Sequence, residues 1–215
     1  MRNVHLSALV VLAFAGAAQA GIITTTPNVM GGNRLYVGNL SWNTTGGTTS
    51  STGGVQFNGP PRFAPPPGSV QAATVEVEAV MEFSINGLPP GEPILSPPST
   101  ASFLDVFVDI DPVSGALRYD SELGDMEFIF SRAESGALKF RESPTLPSLG
   151  RYAITNLGGG LYEIDSFFDI FTELSLDGGA TWTPSDGPSR FTLVPAPGAA
   201  ALLGLGGLAW MRRRR

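Results

Sequence analysis

From Ala73 to Ile85 the chain alternates with a period of two. One face carries Ala73, Val75, Val77, Ala79, Met81, Phe83 and Ile85; the other carries Thr74, Glu76, Glu78, Val80, Glu82 and Ser84. A strand sends successive side chains to opposite faces, so this pattern predicts one side in a core and the other in water. No segment between Gly21 and Val194 sustains a helical period, and the 27 Gly and 18 Pro would interrupt one. Shorter strands are predicted at Leu35–Trp42, Phe103–Ile110, Met126–Phe130, Tyr152–Thr155, Leu161–Ile164, Phe167–Leu176 and Phe191–Val194, with Gly158-Gly159-Gly160 as a hairpin loop. The expectation is an all-β fold, a single β-sandwich or jelly-roll-like domain long enough to bury one core.

Two stretches read as loops. Thr44 to Gly54 is almost entirely Thr, Ser and Gly, and such a run buries too little apolar surface to offset its ordering entropy. With the prolines that follow, residues 44–67 are expected to be flexible. Leu88 to Thr100 is a second proline-rich connection.

Both ends carry addresses. Arg2 supplies a positive n-region, Leu6 to Gly16 an apolar h-region, and Ala18-Gln19-Ala20 a cleavage site before Gly21. Residues 1–20 are therefore expected to be a signal peptide, with the Sec translocon and signal peptidase as partners. At the other end Val194-Pro195-Ala196-Pro197-Gly198 precedes an uncharged run from Ala199 to Met211, closed by Arg212, Arg213, Arg214 and Arg215. The prolines end the preceding strand. The apolar run is a short anchor helix against the roughly 20 residues a bilayer takes, and the arginines stop transfer on the cytoplasmic side.

This order of proline motif, short apolar segment and arginine cluster resembles the PEP-CTERM sorting signal. The likeness covers Val194 to Arg215, and Ala196 stands where the family usually has Glu. The resemblance implies an exported protein, transiently anchored in the inner membrane, handled by an exosortase-type sortase, and delivered to the cell surface or extracellular polymer. Residues 21–194 are then the extracytoplasmic β domain and 195–215 the sorting tail.

Removing both ends takes away His5, the lone histidine, from a chain with no cysteine. Imidazole and thiolate metal sites, disulfides, and Ser-His-Asp or Cys-His nucleophiles are thereby excluded from the domain. Eight basic residues remain against nineteen acids, a net −11, which opposes binding to nucleic acid. No cofactor is implied.

Ser102-Phe103-Leu104-Asp105-Val106-Phe107-Val108-Asp109 repeats as Ser166-Phe167-Phe168-Asp169-Ile170-Phe171-Thr172-Glu173. Alternation sets Leu104, Val106, Val108 and Ile110, or Phe168, Ile170, Thr172 and Leu174, on one face. The opposite face interleaves aromatics with Asp105 and Asp109, or Asp169 and Glu173. The reading is two similar core strands with a solvated acidic stripe. The alternative is that these four carboxylates converge on calcium, without EF-hand spacing to support it.

Ser175-Leu176-Asp177-Gly178-Gly179-Ala180-Thr181-Trp182 resembles the Asp-box of sialidase-type proteins, fixed here at Ser175, Asp177, Gly179, Thr181 and Trp182. Asp177 is expected to accept backbone N–H bonds across a turn, the glycines to supply positive φ, and Trp182 to pack beneath. One copy predicts a hairpin, not sialidase chemistry. The functional expectation is a non-enzymatic structural or adhesive matrix protein, with exopolysaccharide as a partner. Alternatives are a carbohydrate-binding module stacking sugars on Trp42, Tyr119 or Tyr162, and a carboxylate-only glycoside hydrolase built on the four repeat acids.

Overall fold

The computed structural model describes residues 22–25, 27–30, 34–58, 62–132 and 136–194; residues 1–20, expected to be a signal peptide, and everything beyond Val194 lie outside them. Sixteen strands follow in order: β1 (Ile22–Thr24), β2 (Asn28–Met30), β3 (Arg34–Thr44), β4 (Gly47–Phe57), β5 (Arg62–Phe63), β6 (Val70–Ser84), β7 (Ile94–Leu95) and β8 (Ser99–Ile110). Then come β9 (Leu117–Gly124), β10 (Glu127–Arg132), β11 (Gly136–Glu142), β12 (Ser148–Gly158), β13 (Leu161–Ile170), β14 (Thr172–Ser175), β15 (Thr183–Pro184) and β16 (Ser189–Val194). The fold is all-β, with no helix among the described residues.

One large antiparallel sheet dominates, in the order β1-β13-β12-β9-β8-β6-β4-β3-β16, and β16 also pairs with β13. The eight strands from β13 round to β16 therefore close on themselves. Thr192 is the joint: it lies opposite Phe167 of β13 on one side and Val37 of β3 on the other. The remaining edge of β13 is taken by β1, with Ile22 opposite Ile164. A four-stranded sheet, β10-β11-β14-β15, packs its apolar face onto this ring.

The long strand behaves as its pattern dictates. Val77, Ala79, Met81 and Phe83 of β6 are buried, Glu76 is exposed, and Glu78 and Glu82 are half-buried. Inside the ring Tyr36, Phe57, Phe103 and Phe168 pack edge to face or tilted, with centroids 5.1 to 6.5 Å apart. Phe83 of β6 meets Phe130 of the small sheet at 5.2 Å, and Phe128 and Phe140 complete that second cluster. The two sheets thus share one core.

Thr44 to Gly54 is not a loop. Residues 47–57 form β4, paired along its length with β3 and β6, and Thr49, Ser51, Val55 and Phe57 point inward and are buried. The Thr/Ser run suits a pleated surface, and Gly53 is there for closeness. A Cβ on Gly53 would drive into the Val80 carbonyl and the Met81 sulfur. Gly150 likewise leaves room for the ring of Phe168, its cross-strand partner.

The repeat also departs from expectation. In β13 Phe168 and Ile170 face the core, but in β8 the buried face is Phe103 and Asp105, while Leu104, Val106, Val108 and Ile110 are exposed. The two copies present opposite faces. Aromatic burial decides the register, since Phe103 fills the gap between Phe57 and Phe168 that Leu104 is too small to fill. A bulge between Phe107 and Asp109 then turns the end of β8.

Val77→Asp should destabilise the fold by about 3–5 kcal/mol in denaturant titration, because it strands a charge in the core. Thr74→Asp, on the outward face, should stay within about 0.5 kcal/mol. Gly53→Ala should cost about 1–3 kcal/mol through overpacking against backbone.

Candidate functional site

The Asp-box residues build a tight turn between β14 and β15. Ser175 Oγ donates to Asp177 Oδ1 at 2.7 Å and accepts from the Gly179 amide at 2.7 Å. Thr181 donates twice to Asp177, from its amide (2.9 Å) and its hydroxyl (2.6 Å). These bonds, those from Thr181 foremost, hold the Asp177 carboxyl well below the usual range. Gly178 and Gly179 take positive φ of 75° and 105°. Trp182 is half-buried, and the Arg141 guanidinium lies over its ring at 4.0 Å while also pairing with Glu173 at 2.7 Å. The turn is a structural clasp on the small sheet.

The four repeat acids do not share a site. β8 and β13 are separated in the sheet by β9 and β12. Asp109 pairs with Arg118, Asp169 with Arg190 and Glu173 with Arg141, each arginine standing directly opposite its acid on the neighbouring strand. Hydrogen bonds from Arg118 and Arg190 lower the pKa values of Asp109 and Asp169 respectively. Asp105 is fully buried and accepts from Ser121 Oγ at 2.5 Å. Among the described residues no group of three or more His, Cys, Asp or Glu could hold a metal ion.

Of the aromatic candidates, Trp42 and Tyr119 are buried and Tyr162 is half-buried. Tyr119 stacks on Tyr152 at 4.6 Å inside the ring. Neither Trp42 nor Tyr119 offers a sugar a face.

A groove of about 710 Å³ opens where the small sheet meets the ring. Its lining includes Leu104, Pro144, Leu146 and Pro147, and the acids Glu122, Asp125 and Glu142. Glu142 ends β11 and accepts from Ser148 Oγ at 3.1 Å, which in turn accepts from the Phe171 amide at 3.1 Å. The 143–147 loop is thereby tied at its neck. Burial, opposed by the Ser148 bond and assisted by Asp125, Glu122 and Glu173, raises the Glu142 pKa to about 7. Sequence reasoning missed this residue because its neighbours come from β9 and β14, and no local motif joins them.

Ala18, Ala20, Gly21, Pro195, Ala196, Pro197, Gly198 and Arg212 to Arg215 lie outside the described residues; Val194 is the last residue of β16. Comparison with protein-family models, with curated proteins and with solved structures finds no match to this chain.

A carboxyl whose folded pKa is raised from 4.5 to about 7 keeps a proton that the unfolded chain has lost. Stability should therefore fall as pH rises from about 4.5 to 7 and level off above. Allowing for solvent screening at this part-exposed group, the loss should be about 1 kcal/mol. Glu142→Gln should flatten that slope in denaturant titrations at pH 5 and 8. Asp177→Ala should lower the thermal midpoint and speed amide exchange at Gly179 and Thr181 without disturbing the ring.

Proposed function

We propose that this chain is an exported structural or adhesive protein of the extracellular polymer, with no catalytic role, carried to the cell surface by its C-terminal tail. The observation that carries this reading is the order of features along the sequence: a signal-peptide pattern over residues 1–20, a β domain, then a proline motif, apolar run and arginine cluster over residues 194–215. Among the described residues, Ile22 is the first in a strand and Val194 the last. The Ala18-Gln19-Ala20 site ends two residues before Ile22 and Pro195 follows Val194 directly, so cleavage at both would spare every strand among the described residues. A domain without disulfides also needs a sealed core in an oxidising setting, and the shared aromatic interior supplies one. The aromatic cluster inside the ring and the one beneath the small sheet belong to one continuous core, as a single sandwich-like domain requires.

Secreted material from an exosortase-bearing host should begin at Gly21 and lack Arg212 to Arg215 by terminal peptide mapping, and should co-sediment with the host's exopolysaccharide. An intact arginine tail in the extracellular fraction would instead mark a plain membrane anchor.

A further inference from the structure

The outer face of β8 is apolar where an outer face should be polar. Leu104, Val106 and Val108 point outward, and Ala72 and Val70 of β6 stand directly beside Leu104 and Val106. The four larger residues are 39% to 61% exposed. Soluble surfaces scatter such residues singly; five side by side on two paired strands form a patch.

Its surroundings specify charge. On the β9 side Glu122 and Asp120 lie opposite Leu104 and Val106. At the Leu104 end the groove adds Asp125 and Glu142, walled by Pro144, Leu146 and Pro147. Beyond Val108 come Asp109 and Asp111. Against these six acids stand Arg118, paired with Asp109 and Asp111, and Arg151, paired with Asp120. Glu122, Asp125 and Glu142 are in no ion pair among the described residues. A second copy of this acidic domain, or an anionic surface, would be repelled here; a cationic partner would be drawn in.

The backbone specifies shape. β8 is hydrogen-bonded to β6 on one side and β9 on the other, so it has no ladder to offer an extended peptide. A segment docking on this face must satisfy its own backbone, as a helix does. Leu104 to Val108 spans about 13 Å, and the groove prolongs it, enough for about three helical turns.

We propose that this face binds a basic amphipathic helix of a partner protein, its aliphatic side on Val70, Leu104, Val106 and Val108 and its basic side chains toward Glu122, Asp125 and Glu142. This goes beyond the matrix reading and stands or falls without it. The charged groups facing Glu142 are Glu122, Asp125 and Glu173, the last already paired with Arg141. Ionisation of Glu142 therefore adds an uncompensated charge to the groove, and binding should tighten from pH 6 to pH 8.

The test uses the full chain and a labelled helical peptide of leucine and lysine, about fourteen residues long, followed by fluorescence anisotropy. Val106→Lys/Val108→Lys, both outward and so harmless to the fold by circular dichroism, should weaken binding about tenfold or more. Glu142→Gln should remove the tightening with pH, and the same peptide with glutamate for lysine should not bind. Unchanged affinity in the double lysine variant, equal binding of the acidic peptide, or a pH rise that survives Glu142→Gln would overturn the proposal. So would concentration-dependent dimers in light scattering that the double variant dissolves, since the patch would then pair with itself.

Discussion

Everything in this molecule depends on the double pairing of β16. This short strand holds β13 on one side and β3 on the other, and Thr192 takes part in both pairings. Without it the large sheet would have two long open edges, each a row of unsatisfied backbone groups prone to pairing with other chains. With it, the aromatic cluster of Tyr36, Phe57, Phe103 and Phe168 is enclosed from all sides. Enclosure then raises the stakes for polar groups inside. The Tyr36 hydroxyl donates to Ser166 at 2.8 Å, and burial drives its pKa well above the usual phenol range. Tyr119 is shifted the same way, by burial first and then by Asp105.

The outside of the ring is organised by a different interaction. Arg118, Arg141, Arg151 and Arg190 each stand directly across from an acid, respectively Asp109, Glu173, Asp120 and Asp169. Exposed pairs of this kind contribute little to stability, roughly 0–1 kcal/mol each. Their use is in register, because a one-residue slip would set each arginine on the wrong face. They also keep the acids of the repeat apart: three of the eight basic residues between Gly21 and Val194, Arg118, Arg141 and Arg190, each hold one of them.

Legibility followed from how much each pattern depended on distant partners. β6 was readable because thirteen residues of alternation, broken only by Val80, leave one choice of buried face. The Asp-box turn was readable because its bonds all lie within seven residues. β4 was opaque, since Gly53 is selected by the close approach of Val80 and Met81, and its buried Thr49 and Ser51 carry no hydrophobic signal of their own. β8 carried aliphatics on one face and aromatics on the other, and only the position of Phe57 and Phe168 decides between them. The groove acids were invisible for the same reason. Glu122, Asp125 and Glu142 are brought together by the meeting of the two sheets.

The placing of β1 and β16 on the same strand has a consequence in time. Ile22 leaves the ribosome early, but its partner Ile164 follows only after most of the chain, and β16 comes later still. Contacts this far apart in sequence form slowly. The ring cannot close before β16 is in place, so until then one edge of β13 and one edge of β3 stay unpaired at that seam. Loss of residues 192–194 would remove the whole pairing of β16 with β3 and leave the ring open at that seam.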